Sequence, residues 1–167
     1  MLMELFFVFV LQQPVEVSKD GHDWNELGVQ ALAERDFEQG ILYFQKAKKL
    51  LPEDSTVSLN LSRAFSFRGM DHFDHDRLGF AQDDFSTALV EHPDGGRPRS
   101  FRARVWLRFG KRQEVEEEAK LVRTAFPEYS DGWLLGAQVL VLRGEFSDAV
   151  KLLEQGAKVA QPSEAVR

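Results

Sequence analysis

The sequence contains no cysteine, so it offers no disulfide framework, no thiol nucleophile and no thiolate ligand for a metal. It also lacks an apolar run long enough to cross a bilayer as a helix, because the run over residues 5–11 is far shorter than the roughly 20 residues required. Positive charge is in deficit: 21 lysine and arginine residues face 27 aspartate and glutamate residues, giving a net charge of −6. This balance argues against nonspecific binding of nucleic acid, which depends on cations that neutralise phosphates.

The residue patterns of common catalytic sites are missing as well. There is no glycine-rich phosphate loop, and no spacing of serine and histidine brings a nucleophile, a base and an orienting acid together. We therefore expect a protein that is not an enzyme and that uses no cofactor. With 43% hydrophobic residues among 167, the chain nevertheless has enough apolar side chains to form one domain with a core.

A pattern of small and large apolar residues is the main feature that is present. Its clearest copy consists of Trp24, Leu27, Gly28, Ala31, Gly40, Phe44, Ala47 and Pro52. Glycine and alanine let two helices approach closely, larger side chains fill the space around them, and the proline stops the second helix. The stretch resembles a tetratricopeptide repeat, which has an aromatic residue in place of Ala31 and alanine in place of Gly40.

Three further copies follow. The second has Ser58, Leu61, Ser62, Phe65, Ala81, Phe85, Ala88 and Pro93; the third has Ala103, Trp106, Gly110, Val115, Ala119, Val122 and Pro127; the fourth has Trp133, Gly136, Ala137, Leu140, Gly144, Ala149, Leu153 and Gly156. Pro93 and Pro127 are 34 residues apart, but Pro52 and Pro93 are 41 apart. We place the seven additional residues between Gly69, a predicted left-handed helix end, and Ala81.

The predicted fold is therefore all-α, with four antiparallel helix pairs stacked as an α-solenoid. The predicted helices are 20–35, 37–51, 55–68, 76–91, 98–109, 112–125, 130–143 and 146–160. We divide the chain into an apolar N-terminal segment with its lead-in at 1–20, a repeat domain at 21–162 with an insertion at about 69–76, and a tail at 163–167. The resemblance implies a right-handed superhelix in which the first helix of each pair lines a concave groove.

The resemblance also implies that this groove binds a segment of a partner protein. The candidate peptide-binding residues are Asn25, Asn60, Arg63, Phe67, Arg97, Phe101, Arg104, Arg108 and Gln138. Four of them are arginines, and their planar guanidinium groups suit carboxylates, so we expect an acidic or carboxylate-bearing partner segment. The alternative is that these arginines pair with neighbouring acids. The lysine and asparagine clamp with which some family members hold chaperone C-termini is not reproduced, so chaperone binding is not predicted.

Two other functional interpretations stay open. The chain could be an accessory docking domain of a larger enzyme or of an envelope or secretion assembly. It could also be a metal-responsive module, because His72 and His75 lie three residues apart among aspartates and would share a face of one helical turn. A run of short polar residues there is equally typical of a solvated loop in which Asp74 caps the next helix. The glutamates at 114 and 116–118 are expected on a solvated outer face.

The two ends of the chain carry separate predictions. Residues 1–13 have the length of a signal or anchor segment, but Glu4 precedes the apolar run and no cleavage pattern follows. Packing on the first repeat and a cytoplasmic location are favoured, with export or anchoring as the alternative. At the other end, Leu152, Val159 and Ala160 are predicted to be exposed, because a terminal repeat lacks a neighbour. This predicts self-association through the last helix pair, or a longer parent chain.

Overall fold

The computed structural model describes residues 19–160, and within that range the chain is a row of eight α-helices without strands. They are α1 Gly21–Ala33, α2 Phe37–Leu50, α3 Ser55–Asp74, α4 Leu78–Glu91, α5 Gly96–Arg108, α6 Arg112–Ala125, α7 Ser130–Leu142 and α8 Phe146–Ala160. Each helix packs on the next one in sequence, which confirms the predicted solenoid of four helix pairs. The segments at 1–13 and 163–167, and the predictions made for them, lie outside the described residues.

The first helix of each pair faces the inside of the row. Among the described helices, α1 contacts α3, α3 contacts α5, and α5 contacts α7, whereas the second helices of neighbouring pairs do not touch. A row whose first helices are closer together than its second helices must curve toward the first helices. We call the face formed by α1, α3, α5 and α7 the inner face.

Aspartates fix the starts of the first three helices, with Asp20 before α1, Asp36 before α2 and Asp54 before α3. Asp20 accepts hydrogen bonds from the backbone N–H groups of His22 and Asp23, and the Asp23 carboxylate accepts one from the N–H of Asp20. Asp54 accepts N–H bonds from residues 56 and 57 of α3 in the same way. These N–H groups favour the ionised carboxylate, so the pKa of Asp20 and that of Asp54 lie below their ordinary values.

The turn inside each pair has the same geometry throughout the chain. One residue of each turn adopts a positive φ: Arg35 (62°), Asp76 (56°), Gly110 (73°) and Gly144 (81°). Three residues separate the two helices in every one of these turns, so the second turn contains no additional residues. The predicted insertion between Gly69 and Ala81 must therefore be placed elsewhere.

The additional residues lie inside α3. This helix has 20 residues, whereas α1, α5 and α7 have 13 each. Seven residues correspond to about two helical turns. The predicted helix end at residue 68 is therefore wrong, and so is the left-handed conformation of Gly69, which lies within α3. A Cβ at Gly69 would come within 2.8 Å of the Phe85 ring, just as one at Gly28 would come within 2.5 Å of Phe44.

The long α3 helix packs on its two neighbours with different parts of its length. Its first half meets α2, through a hydrogen bond from Lys48 to Ser58 and an apolar cluster in which Ile41 contacts the α3 segment 61–65. Its second half meets α4, where Arg68 donates to the carboxylate of Asp84 at 2.7 Å. Consequently α3 extends past the end of α4 at one end and past the start of α2 at the other.

One pair of facing positions, one on each helix of a repeat, holds uncharged residues in two repeats and an ion pair in the other two. In the first pair these positions hold Leu27 and Tyr43, and in the fourth Gly136 and Leu152. In the second and third pairs they hold ion pairs, Arg68–Asp84 and Arg102–Glu118. The expectation that the glutamates of α6 are all solvated is thus wrong for Glu118, which is 5% exposed and also pairs with Arg99 at 3.1 Å.

Candidate functional site

A cavity of about 440 Å³ lies at the edge of the inner face, between the middle of α3 and the segments that precede α5 and α7. Its lining comes from three places: Leu59, Ser62, Arg63, Ser66 and Phe67 on α3; His92, Asp94, Gly95, Gly96, Arg97 and Pro98 around the start of α5; and Phe126 and Tyr129 before α7. We call it the α3–α5 pocket. Three aromatic rings, two arginines and an imidazole thus surround a space large enough for a few side chains of a partner.

Arg63 and Arg97 give the α3–α5 pocket its charge. Both side chains are exposed, and neither forms an ion pair within residues 19–160. Asp94 is the acidic residue in the lining, so the two guanidinium groups exceed the negative charge. An excess of unpaired positive charge in a recess attracts an anionic group.

The other two candidate arginines have acidic partners. Arg104 contacts Asp131 of α7 at 2.6 Å and also lies over the Phe101 ring, 4.9 Å from its centre. Arg108 contacts Asp76 in the turn before α4 at 2.8 Å. For these two arginines the structure shows the alternative considered from the sequence, pairing with neighbouring acids.

The candidate amides and aromatic rings are also distributed unevenly. The Asn60 amide donates to Asn25 at 3.0 Å, so these two candidates satisfy each other. Phe101 stacks on Phe85, with ring centres 5.6 Å apart, and belongs to the core between the second and third pairs. Phe67, in contrast, is 37% exposed at the α3–α5 pocket, and Gln138 is exposed on α7.

The candidate metal ligands His72 and His75 turn toward different neighbours. His72 lies between α3 and α4 with Nε2 3.7 Å from a carboxylate oxygen of Asp84. His75 follows α3, and its Nδ1 is 2.8 Å from the carbonyl oxygen of Asp71. Within residues 19–160, no group of three or more histidine, aspartate or glutamate side chains is placed to hold a metal ion. Asp74 belongs to α3 and does not cap α4, which Arg77 precedes without a side-chain cap.

A second cavity, of about 610 Å³, opens beside the part of α3 that extends past the start of α2. It is lined by Phe65, Arg68, His72, Arg77, Phe80, Asp83, Asp84 and Thr87. In the third pair, the position that corresponds to His72 holds Trp106. This residue is covered by α4, because its indole donates to Gln82 at 3.1 Å. His72 has no such cover, since α2 packs two turns earlier along α3.

Comparison with known proteins bears on the fold. No protein-family model matches the sequence, and no curated protein matches it. Among solved structures, a crystal structure of MamA is similar with a TM-score of 0.59 and 14% identity, over 83% of this chain and 77% of that one. MamA from Desulfovibrio magneticus gives a TM-score of 0.58 and 12% identity, over 87% of this chain and 78% of that one.

A third similar structure is a domain named after the tetratricopeptide repeat. The TPR2AB domain of yeast Sti1, solved as a complex with pHSP90, gives a TM-score of 0.56 and 14% identity, over 83% of this chain and 61% of that one. This chain has the tetratricopeptide-repeat fold. Within this fold, the sequence located the pocket residues on the first helices but missed His92, Phe126 and Tyr129, which lie in the turns between repeats. These residues lie next to Pro93 and Pro127, which end the second and third repeats, and this proximity to the repeat boundaries could have identified them.

The described helices were also compared with the requirements of a membrane span. None of them combines the length and the apolar character that crossing a bilayer would require.

Proposed function

We propose that this chain is a noncatalytic interaction module that binds a segment of another protein along its inner face. The observation that carries the proposal is the α3–α5 pocket, in which Arg63 and Arg97 lack acidic partners among the described residues. A fold that also occurs in a domain solved with pHSP90 is compatible with this role. Grooves of stacked helix pairs are extended surfaces suited to partner segments.

The charge of the pocket favours an acidic or carboxylate-bearing segment. Each guanidinium group can donate two parallel hydrogen bonds to one carboxylate. Phe67 and Tyr129, both exposed, provide apolar area for the neighbouring side chain of the bound segment. Gln138, further along the inner face, is available to the backbone of the same segment, whereas Asn25, Asn60, Phe101, Arg104 and Arg108 already have partners within the chain.

A charge reversal tests this proposal. Peptides selected from a random display library by the wild-type chain should be enriched in aspartate and glutamate. The double variant Arg63→Glu with Arg97→Glu should bind them at least about tenfold more weakly, a loss of about 1.4 kcal/mol, in a fluorescence anisotropy titration. The matched control is Lys49→Glu with Lys120→Glu, because these exposed lysines lie on second helices and the change in net charge is the same. Equal loss in both variants would show that only net charge matters, and would refute the pocket.

We also propose self-association through the last helix pair, for which the exposure of α8 provides support. Phe146, Val150 and Val159 are 64%, 55% and 45% exposed, and Leu153 is 39% exposed. Leu152, which we expected to be exposed, is half-buried and packs close to Gly136 of α7. Apolar side chains that are exposed together commonly mark an interface with another molecule. Sedimentation equilibrium of the full chain tests this part of the proposal.

A further inference from the structure

In each of the first three repeats, the second helix uses the same four positions to seat the first helix of the next repeat. In α6 these positions are 112, 116, 119 and 123. Arg112 donates to the carbonyl of Leu142, Glu116 pairs with Arg143, and Arg123 donates to the carbonyl of Gly132, all on α7 or at its end. Ala119 lies in the core between α6 and α7. At corresponding positions, Lys48 of α2 donates to Ser58 of α3, and Phe85 of α4 stacks on Phe101 of α5. Phe44 and Phe85 are 0% exposed.

The same four positions of α8 form an apolar row with nothing packed on it among the described residues. They are Phe146, Val150, Leu153 and Ala157, and we call this row the α8 seam. All four side chains are exposed, and the three large ones are more exposed than Phe44, Phe85 or Ala119 at the equivalent positions. The spacing of four, three and four residues places the row on one side of the helix, as in the contact seam of paired helices.

The opposite end of the solenoid does not fit the α8 seam. The outer face of α1 carries Asp23, Glu26 and Gln30, and these positions correspond to Gly132, Leu135 and Val139 of α7. Leu135 and Val139 are 2% and 1% exposed in the core against α6, whereas Asp23, Glu26 and Gln30 are all exposed. Seating α1 of another copy on the α8 seam would bury these polar groups against apolar side chains, which is unfavourable. Head-to-tail stacking of copies is therefore disfavoured.

A second α8 fits the seam better. We propose that a second copy of this chain covers the α8 seam, with the two α8 helices antiparallel about a twofold axis. In that arrangement Val150 faces Leu153 of the other copy, and Phe146 faces Ala157, so a large side chain meets a small one. The charges on α8, Asp148, Lys151, Glu154 and Lys158, cancel, so the two helices do not repel each other despite the net charge of −6. A twofold axis brings one patch onto itself and closes the assembly as a dimer.

This inference rests on the self-association proposed above and names its surface and symmetry. Sedimentation equilibrium of the full chain should show a dimer, and Leu153→Glu should convert it to a monomer because a carboxylate would be buried in the seam. Leu134→Glu is the matched control, since Leu134 is 47% exposed on α7 and lies outside the seam. It should leave the dimer intact. Circular dichroism of each variant establishes that the helices are retained.

Cysteine cross-linking tests the direction of the two helices, because the chain has no cysteine of its own. Across the proposed axis, two copies of residue 150 are displaced by three helix positions, about 4.5 Å along α8. Two copies of residue 157 are displaced by eleven positions, about 16 Å. A short bis-maleimide should therefore link Val150→Cys dimers and should not link Ala157→Cys dimers.

The outcomes distinguish self-association from the specific pairing of two α8 seams. A wild-type chain that is monomeric at all concentrations would overturn both self-association and the α8 seam pairing. A dimer that survives Leu153→Glu would leave self-association standing and overturn the seam. Equal cross-linking of both cysteine variants would indicate parallel helices and overturn the twofold antiparallel arrangement. Loss of the dimer on removing residues 1–18 would place the dimer contact in that segment, which also contradicts this inference.

Discussion

The buried ion pair between Arg68 and Asp84 provides the sharpest prediction about what holds the repeats together. Arg68 donates to both carboxylate oxygens of Asp84, at 2.9 and 2.7 Å. These hydrogen bonds, which the guanidinium donates to the carboxylate, raise the pKa of Arg68. The Asp84 side chain is 7% exposed and that of Arg68 is 26% exposed. Replacing only one member leaves a charge between two helices without its partner.

The expected cost follows from this burial. Breaking a buried ion pair by removing one partner typically costs about 3–5 kcal/mol. Because a quarter of Arg68 remains in contact with water, we expect Asp84→Ala to cost about 3 kcal/mol, the lower end of that range. The double variant Arg68→Met with Asp84→Leu should return to within about 1 kcal/mol of the wild type, because apolar groups replace both charges. Leu27 and Tyr43, which occupy the equivalent positions of the first repeat, show that the fold accepts two uncharged side chains there.

Urea denaturation followed by circular dichroism measures these free energies of unfolding. The control is Asp76→Asn, which removes the carboxylate of the exposed Arg108–Asp76 pair and keeps a residue that tolerates positive φ. It should change stability by less than about 0.5 kcal/mol. A cost for Asp84→Ala no larger than that of the control would refute the argument that burial makes the Arg68–Asp84 pair important.

Two further predictions concern helix packing and capping. Gly69→Ala should destabilise the fold by about 1–3 kcal/mol, because its Cβ would meet an aromatic ring at 2.8 Å. Gly79→Ala, whose Cβ would meet nothing within 4 Å, should stabilise by up to about 1 kcal/mol in the same denaturation assay, and the opposite order would contradict the packing. The pKa of Asp54 is lowered from 3.8, chiefly by its bond from a backbone N–H, so its capping is fully present above pH 3.8 and is lost as the pH falls further. The difference in melting temperature between wild type and Asp54→Ala should therefore shrink in acid, and a constant difference would refute an ionised cap.

The sequence predicted the fold because its repeat residues report directly on helix packing. Phe44, Ala47 and Gly28 occupy positions where two helices cross, so their spacing alone indicates the helix pairs. It misplaced the additional residues because the second repeat contains two overlapping patterns. Ser58 and Leu61 follow the pattern that faces α2, whereas Gly69 follows the one that faces α4, and both registers lie on one helix.

The candidate site was predicted less completely, for a related reason. The sequence assigned all four arginines to the groove, but the partners of Arg104 and Arg108 lie 27 and 32 residues away and come close only through stacking of the pairs. The α3–α5 pocket likewise includes residues of turns that are distant in sequence, such as Tyr129. Local spacing contains none of this information.

The central claim is that the inner face binds an acidic segment at the α3–α5 pocket, and an NMR titration tests it most directly. An acidic peptide selected by the chain is added to ¹⁵N-labelled protein, and shift changes of the backbone amides are mapped. The largest changes should occur around Arg63, Phe67, Arg97 and Tyr129, and they should disappear in the double variant Arg63→Glu with Arg97→Glu. Changes confined to the second helices, or unaffected by that variant, would contradict the claim.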